Sequence, residues 1–290
     1  MPTSSLALLL ALCATNISRT QTPAPAPAPE VEDPLVELQL LSELDALHAG
    51  DEFLIGLRHE LAPHWHIYWK NPGDSGLATR PSLRVPAGFE AGPALFPAPD
   101  RIELPGDITV FAYETEVVFF WRVKAPDELG DAQSFAFEAE SEWLVCKENC
   151  ERGAGRTELT LRRAAEDQEV GRDRAAFGAS LARLPKPLAS LKGASARLSE
   201  TTEGLALDVR VPFDAELSWF PEAEVAVSFV NTQLERTEKL SRLLRQYNLQ
   251  PSREDPVPRV KGVLVVAHGK RTDYYELDLE RPRAAKEETR

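Results

Sequence analysis

From Leu35 onward, apolar and polar residues alternate along much of the chain, the period-two pattern of strands that bury one face. Phe53, Ile55, Leu57, His59 and Leu61 share one parity, while Arg58 and Glu60 take the other. Similar runs at His66–Lys70, Val117–Val123, Phe135–Val145 and Thr157–Leu161 are separated by turn sequences such as Asn71-Pro72-Gly73-Asp74 and Leu104-Pro105-Gly106-Asp107. Short strands punctuated in this way predict a β-sandwich. Around Ala164–Leu184 the pattern turns charged and alanine-rich, then stops at Pro185-Lys186-Pro187, which predicts a connecting helix and a boundary. Strand-like segments resume at Leu205–Val211, Glu224–Val230, Gly262–Ala267 and Tyr274–Leu279, enough for a second, smaller β-domain. Among them Leu240, Leu243, Leu244 and Tyr247 stand at helical spacing and predict a helix.

Length agrees with this division, since 290 residues leave room for two compact domains at roughly 150 residues each. Lys and Arg number 33 against 46 Asp and Glu, a net charge of −13, which argues against a protein that binds the phosphate backbone of nucleic acid. Residues 5–14 form an apolar run of signal-peptide length, too short to span a bilayer, although Met-Pro-Thr-Ser-Ser before it holds no basic residue. Export is therefore expected, with no transmembrane span in the mature chain. Cys13 is a candidate lipid-accepting residue and membrane tether, although Leu12 stands where such a site takes a small residue. The expected organisation is an export signal over 1–20, a Pro/Ala-rich linker over 21–31 and a first sandwich over 32–165. A connecting segment over 166–192, a second β-domain over 193–282 and a charged tail over 283–290 follow.

Candidate chemistry concentrates in Trp143-Leu144-Val145-Cys146-Lys147-Glu148-Asn149-Cys150. In an exported protein two thiols this close are expected to form a disulfide, and positions facing each other across a three-residue hairpin loop supply the required approach. With Phe135, Phe137, Ala139, Trp143 and Val145 counted inward, Cys146 falls outward with Glu138, Glu140 and Glu142, so the sulfurs are expected to be reachable. Three readings fit these residues. The bridge is a structural staple; or, because closing so short a loop removes little chain entropy, it is a redox switch; or the two cysteines join His64 or His66 around Cu(I) or Zn. Glu138, Glu140 and Glu142 read as a solvated strand face, and Asn71–Gly76 lacks the Gly-Lys-Ser/Thr ending of a phosphate loop.

Pro63-His64-Trp65-His66-Ile67-Tyr68-Trp69-Lys70-Asn71-Pro72-Gly73-Asp74-Ser75-Gly76, Phe96-Pro97-Ala98-Pro99, Phe111-Ala112-Tyr113-Glu114-Thr115-Glu116-Val117 and the Trp143–Cys150 segment resemble, in that order, the N-terminal domain of thiol:disulfide interchange protein DsbD. The likeness is strongest to its suppressor-of-copper-sensitivity relatives and covers about residues 32–165. Trp219-Phe220-Pro221 and Lys261-Gly262-Val263-Leu264 are similar, more loosely, to the second β-domain of those relatives. The resemblance implies an all-β chain of tandem immunoglobulin-like sandwiches in the periplasm, with service in cytochrome c biogenesis or copper tolerance. It implies that Cys146 and Cys150 exchange electrons with thioredoxin-like partners, that Cys150 forms the intermolecular bond, and that Cys146 resolves it. No cofactor is implied. The family's electron-conducting membrane domain and thioredoxin-like domain are not in this sequence, so a separate membrane reductase is the implied electron source. His66 and Tyr68 are implied to line the redox site and Phe111 or Tyr113 to cap the disulfide. By sequence position alone, Glu148 lies between the cysteines, where its charge and that of Glu151 disfavour a thiolate while Lys147 and Arg152 oppose them.

Overall fold

The computed structural model describes residues 34–201, 204–222, 227–249 and 259–280. The export segment with Cys13, the Pro/Ala linker, the charged tail and the start of the strand expected at Glu224 lie outside the described residues. The first part of the chain runs β1 (Val36–Ser42), β2 (Ala46–Leu47), β3 (Glu52–Leu61), β4 (His66–Gly73), β5 (Arg80–Arg84), β6 (Glu90–Ala91), β7 (Asp100–Leu104), β8 (Ile108–Glu114), β9 (Glu116–Lys124), β10 (Ser134–Cys146) and β11 (Cys150–Arg163). One sheet has the order β1-β3-β9-β6; the other runs β2-β11-β10-β4-β8-β7, with β5 also paired to β10. Ile55, Leu57, Phe119 and Trp121 from the first sheet meet Ile67, Trp69, Phe137 and Val145 from the second in one apolar core. The second part adds β12 (Lys186–Pro187), β13 (Ser195–Thr201), β14 (Gly204–Val211), β15 (Glu216–Pro221), β16 (Val227–Thr237), β17 (Leu240–Leu249), β18 (Arg259–His268) and β19 (Arg271–Glu280). Its sheets, β12-β19-β18-β15 and β13-β14-β17-β16, enclose Leu207, Val209, Trp219, Leu264 and Leu277. The architecture is all-β.

Two expected helices come out differently. Leu240 to Tyr247 lie in β17, hydrogen-bonded to β14 on one side and β16 on the other, with Glu238-Lys239 closing a tight hairpin. The helical spacing of leucines loses to ladder pairing on both edges, which places Leu243 opposite Val209 and inside the second core. Between Ala164 and Leu184 the only α-helix is α1 (Gly178–Ala182), preceded by a single 3-10 turn at Ala175–Phe177. This segment is held by tertiary contacts instead. Phe177 is fully buried against Leu54, Val118 and Phe120 on the outer face of the first sheet. Arg172 and Arg174 reach Glu43, which is 2% exposed and also accepts a hydrogen bond from Leu54 N. Burial alone would raise the Glu43 pKa, but Arg174, the Leu54 amide and Arg172 outweigh it and the carboxyl is held below its ordinary value.

The two sandwiches share an apolar seam. Phe220 of β15 packs edge-on against Phe111 (5.1 Å between centroids) and Trp69 (6.5 Å), and the Arg101 guanidinium lies over both Phe rings. At its rim Lys70 pairs with Glu222, and Asn71 Nδ2 donates to the Pro221 carbonyl at 2.7 Å. The end of β4 is thus tied to the second sandwich.

His59 shares the inward parity of β3 and is fully buried, its Nε2 2.8 Å from Ser141 Oγ and its ring edge-on to Phe119 and Trp143. Burial pushes its pKa down to about 3, against a weaker opposing pull from the Leu57 backbone. The folded state therefore holds His59 neutral while the unfolded chain protonates it near pH 6.5, so stability is complete above that pH and is lost as pH falls towards 3. Urea unfolding of the protein and of His59→Gln should converge by about 3 kcal/mol between pH 6.5 and pH 4, following about 1.4 kcal/mol per pH unit. A gap that stays constant over this range contradicts the assignment.

Candidate functional site

β10 and β11 form a hairpin whose alternating residues send Phe135, Phe137 and Ala139 into the core and Ala136, Glu140 and Glu142 outward. Its last paired residues are Cys146 and Cys150, directly opposite each other across Lys147–Asn149. They form a disulfide with Cα atoms 4.2 Å apart. Gly153 on β11 is required nearby, because a Cβ there would stand 2.3 Å from Trp143 Nε1.

Parity places Cys146 on the outward face, as expected, but its sulfur is not reachable: the residue is 2% exposed. Cys150 and the loop residues Lys147, Glu148 and Asn149 are exposed. The cover comes from a second, small apolar cluster on the outer face, in which Cys146 packs with Tyr68, Val110 and Ala112 and is flanked by Ile102, Leu104, Ile108 and Leu144. A sign of it lies in Ile108-Thr109-Val110-Phe111-Ala112-Tyr113, where both parities are largely apolar, the mark of a strand covered on both faces.

His66 and Tyr68 do come together with the cysteines. His66 opens β4 and pairs directly with Cys146; it is 6% exposed, with Nε2 3.3 Å from Tyr68 Oη and the two rings 5.2 Å apart. Burial lowers the His66 pKa, with the charge of Glu114 working against it, and burial raises that of Tyr68, which stays a neutral phenol. Gly76 (φ +100°) lies against the Tyr68 ring so closely that a Cβ would approach it to 2.3 Å, so the Asn71–Gly76 turn acts as the lid of this ring.

Phe111 and Tyr113 are not a cap. Alternation along β8 turns Val110 and Ala112 to the disulfide face, and Phe111 and Tyr113 to the opposite one. Phe111 fills the seam between the sandwiches, and Tyr113 is buried with its hydroxyl donating to the Pro97 carbonyl at 2.7 Å. His64 sits in an exposed turn at φ 70°. Among the described residues no cluster of three His, Cys, Asp or Glu is arranged to hold a metal ion, and both sulfurs are engaged in the bridge. The residue missed in the sequence is Glu114, directly opposite His66 on β8.

The family model described as thiol:disulfide interchange protein DsbD, N-terminal, matches residues 33–162. The match is to that segment, under half of the chain. The matched segment is the first sandwich with its cysteine hairpin, and the fold likeness extends beyond it. The crystal structure of the N-terminal periplasmic domain of ScsB from Proteus mirabilis aligns over 84% of this chain and 94% of its own, at 16% identity and a TM-score of 0.56. Two endo-fucoidan hydrolases of glycoside hydrolase family 107 cover 85% and 76% of this chain and 39% and 34% of theirs, at 10% and 9% identity. Their TM-scores of 0.19 and 0.17 carry no argument. No curated protein matches the sequence. No helix among the described residues is long and apolar enough to cross a membrane.

The unequal exposure of the two sulfurs has a direct consequence. In reduced protein, maleimide labelling should modify Cys150 of the Cys146→Ser variant at least about tenfold faster than Cys146 of Cys150→Ser, because thiol reactivity follows access. Equal rates, read by mass spectrometry, would show that the Tyr68 cluster does not shield Cys146.

Proposed function

We propose that the protein is an exported thiol–disulfide exchange domain that relays electrons between thioredoxin-like periplasmic proteins and a separate membrane reductase through Cys146 and Cys150. The observation that carries this is a disulfide with one sulfur at the surface and the other closed off, at the tip of a hairpin in the segment that matches the DsbD N-terminal family. A partner thiolate can reach Cys150 alone. Attack there gives a mixed disulfide at Cys150 and expels Cys146; in the reverse direction Cys150 attacks a partner disulfide and Cys146 resolves the adduct. The family match and the likeness to a periplasmic domain support both the compartment and the class of partner. Cys13 is the proposed tether.

Cys146→Ser leaves Cys150 able to form the intermolecular bond but unable to close the bridge. Mixing it with an oxidised thioredoxin-fold protein should accumulate a covalent adduct that dithiothreitol dissolves and that the Cys146→Ser/Cys150→Ser double variant does not form. The wild-type bridge should also equilibrate with glutathione or thioredoxin buffers. A potential below about −300 mV, where structural disulfides lie, would make it a staple and remove the relay.

A further inference from the structure

At the open end of the sandwich three strands bring three functional groups into one row. Cys146 on β10 pairs with His66 on β4, and His66 pairs with Glu114 on β8, before the irregularity that follows Tyr68. Residues directly opposite across antiparallel strands share a face, with Cβ atoms about 4.5–5.5 Å apart. The imidazole is therefore flanked by a sulfur on one side and a carboxylate on the other.

We propose that His66 is a catalytic residue that takes up and returns the proton of the Cys146 thiol, with Glu114 as a positioning residue that steadies the charged imidazole. This deepens the exchange reading above and rests on it. A thiol must become a thiolate to attack, and the apolar nest of Tyr68, Val110 and Ala112 both disfavours that charge and keeps bulk base away from Cys146. Cys150, at the surface, has water for this purpose. The order nucleophile, imidazole, acid is the one by which buried sulfur and oxygen nucleophiles are commonly activated. Other ionisable groups on this face are Tyr68, whose hydroxyl lies 3.3 Å from Nε2, Asp100 on β7, which is committed to Arg183, and Arg152 on β11, opposite Leu144. Lowered by burial, the His66 pKa favours the neutral, proton-accepting ring at pH 7.

In the forward direction Cys150 thiolate attacks the partner disulfide, a Cys150–partner bond forms, and one partner thiolate leaves. The Cys146 proton then passes to His66, and the Cys146 sulfur attacks Cys150 Sγ. The Cys146–Cys150 bond forms, the mixed disulfide breaks, and the second partner thiolate leaves and is protonated from the imidazolium through solvent. Two electrons pass from the cysteine pair to the partner. In reverse, the attacking partner thiol yields its proton through solvent to His66, its sulfur displaces Cys146 from Cys150, and the imidazolium hands that proton to Cys146. The partner's second thiol then attacks the partner sulfur bound to Cys150, closing the partner disulfide and releasing Cys150 as the thiol.

Reduced protein mixed with 5,5′-dithiobis(2-nitrobenzoate) separates these steps. Attack by Cys150 releases one nitrothiobenzoate, and closure by Cys146 releases the second. His66→Ala should leave the first phase unchanged and slow the second at pH 7 by about a hundredfold, the lower range for general acid–base catalysis. Added imidazole should restore much of that loss, which a packing role would not allow. Glu114→Gln, at an exposed position, should slow the second phase less and move its pH profile to lower pH, since a carboxylate that stabilises the imidazolium is gone. A second phase in His66→Ala with the wild-type rate and pH profile, or a slow one that imidazole leaves slow, overturns the assignment of His66. A Glu114→Gln profile superimposable on wild type removes Glu114. Failure of the wild type to release the second nitrothiobenzoate would overturn the exchange reading itself, a result distinct from the other two.

Discussion

The register at the end of β10 is the constraint on which the site depends. One residue, Cys146, is placed opposite Cys150 by the hairpin with β11 and opposite His66 by the ladder with β4. Because side chains alternate faces with a period of two, a slip of one residue would turn Cys146 into the core and separate it from both partners. That register is held by the hydrophobic set of β10: Phe135, Phe137, Ala139 and Val145 fit the core only in this pairing. The chemistry therefore draws its geometry from the packing of the sandwich beneath it.

A second feature is the double burial of the strands beside the disulfide. β4 presents Ile67 and Trp69 to the core and His66 and Tyr68 to the outer cluster, while β8 presents Phe111 and Tyr113 inward and Val110 and Ala112 outward. The outer cluster shields one sulfur and leaves the other free, so the two cysteines differ in access although they are joined and adjacent on the ladder. The far end of β4 is gripped by Phe220, Pro221 and Glu222 of the second sandwich. The strand that carries His66 is thus braced at both ends, which suits a group that must meet a sulfur repeatedly at one distance.

What the chain alone determined is the all-β pattern, the strand positions at Phe53, His66, Val117, Phe135 and Thr157, and the cysteine hairpin, because period-two burial and turn residues act within a few neighbouring positions. The nearness of His66 and Tyr68 to the cysteines followed from motif likeness. Contacts between distant segments were decided only by the tertiary structure. β17 is a strand because two ladders claim its backbone, the stretch after Ala164 is pinned by Glu43 and the Phe177 pocket, and Phe111 serves the seam between sandwiches. Cys146 is closed off by side chains from three other strands, and Glu114 stands beside His66 through a pairing 48 positions away along the chain. Local alternation states which face a side chain takes; what covers that face is settled by the partners that folding brings to it.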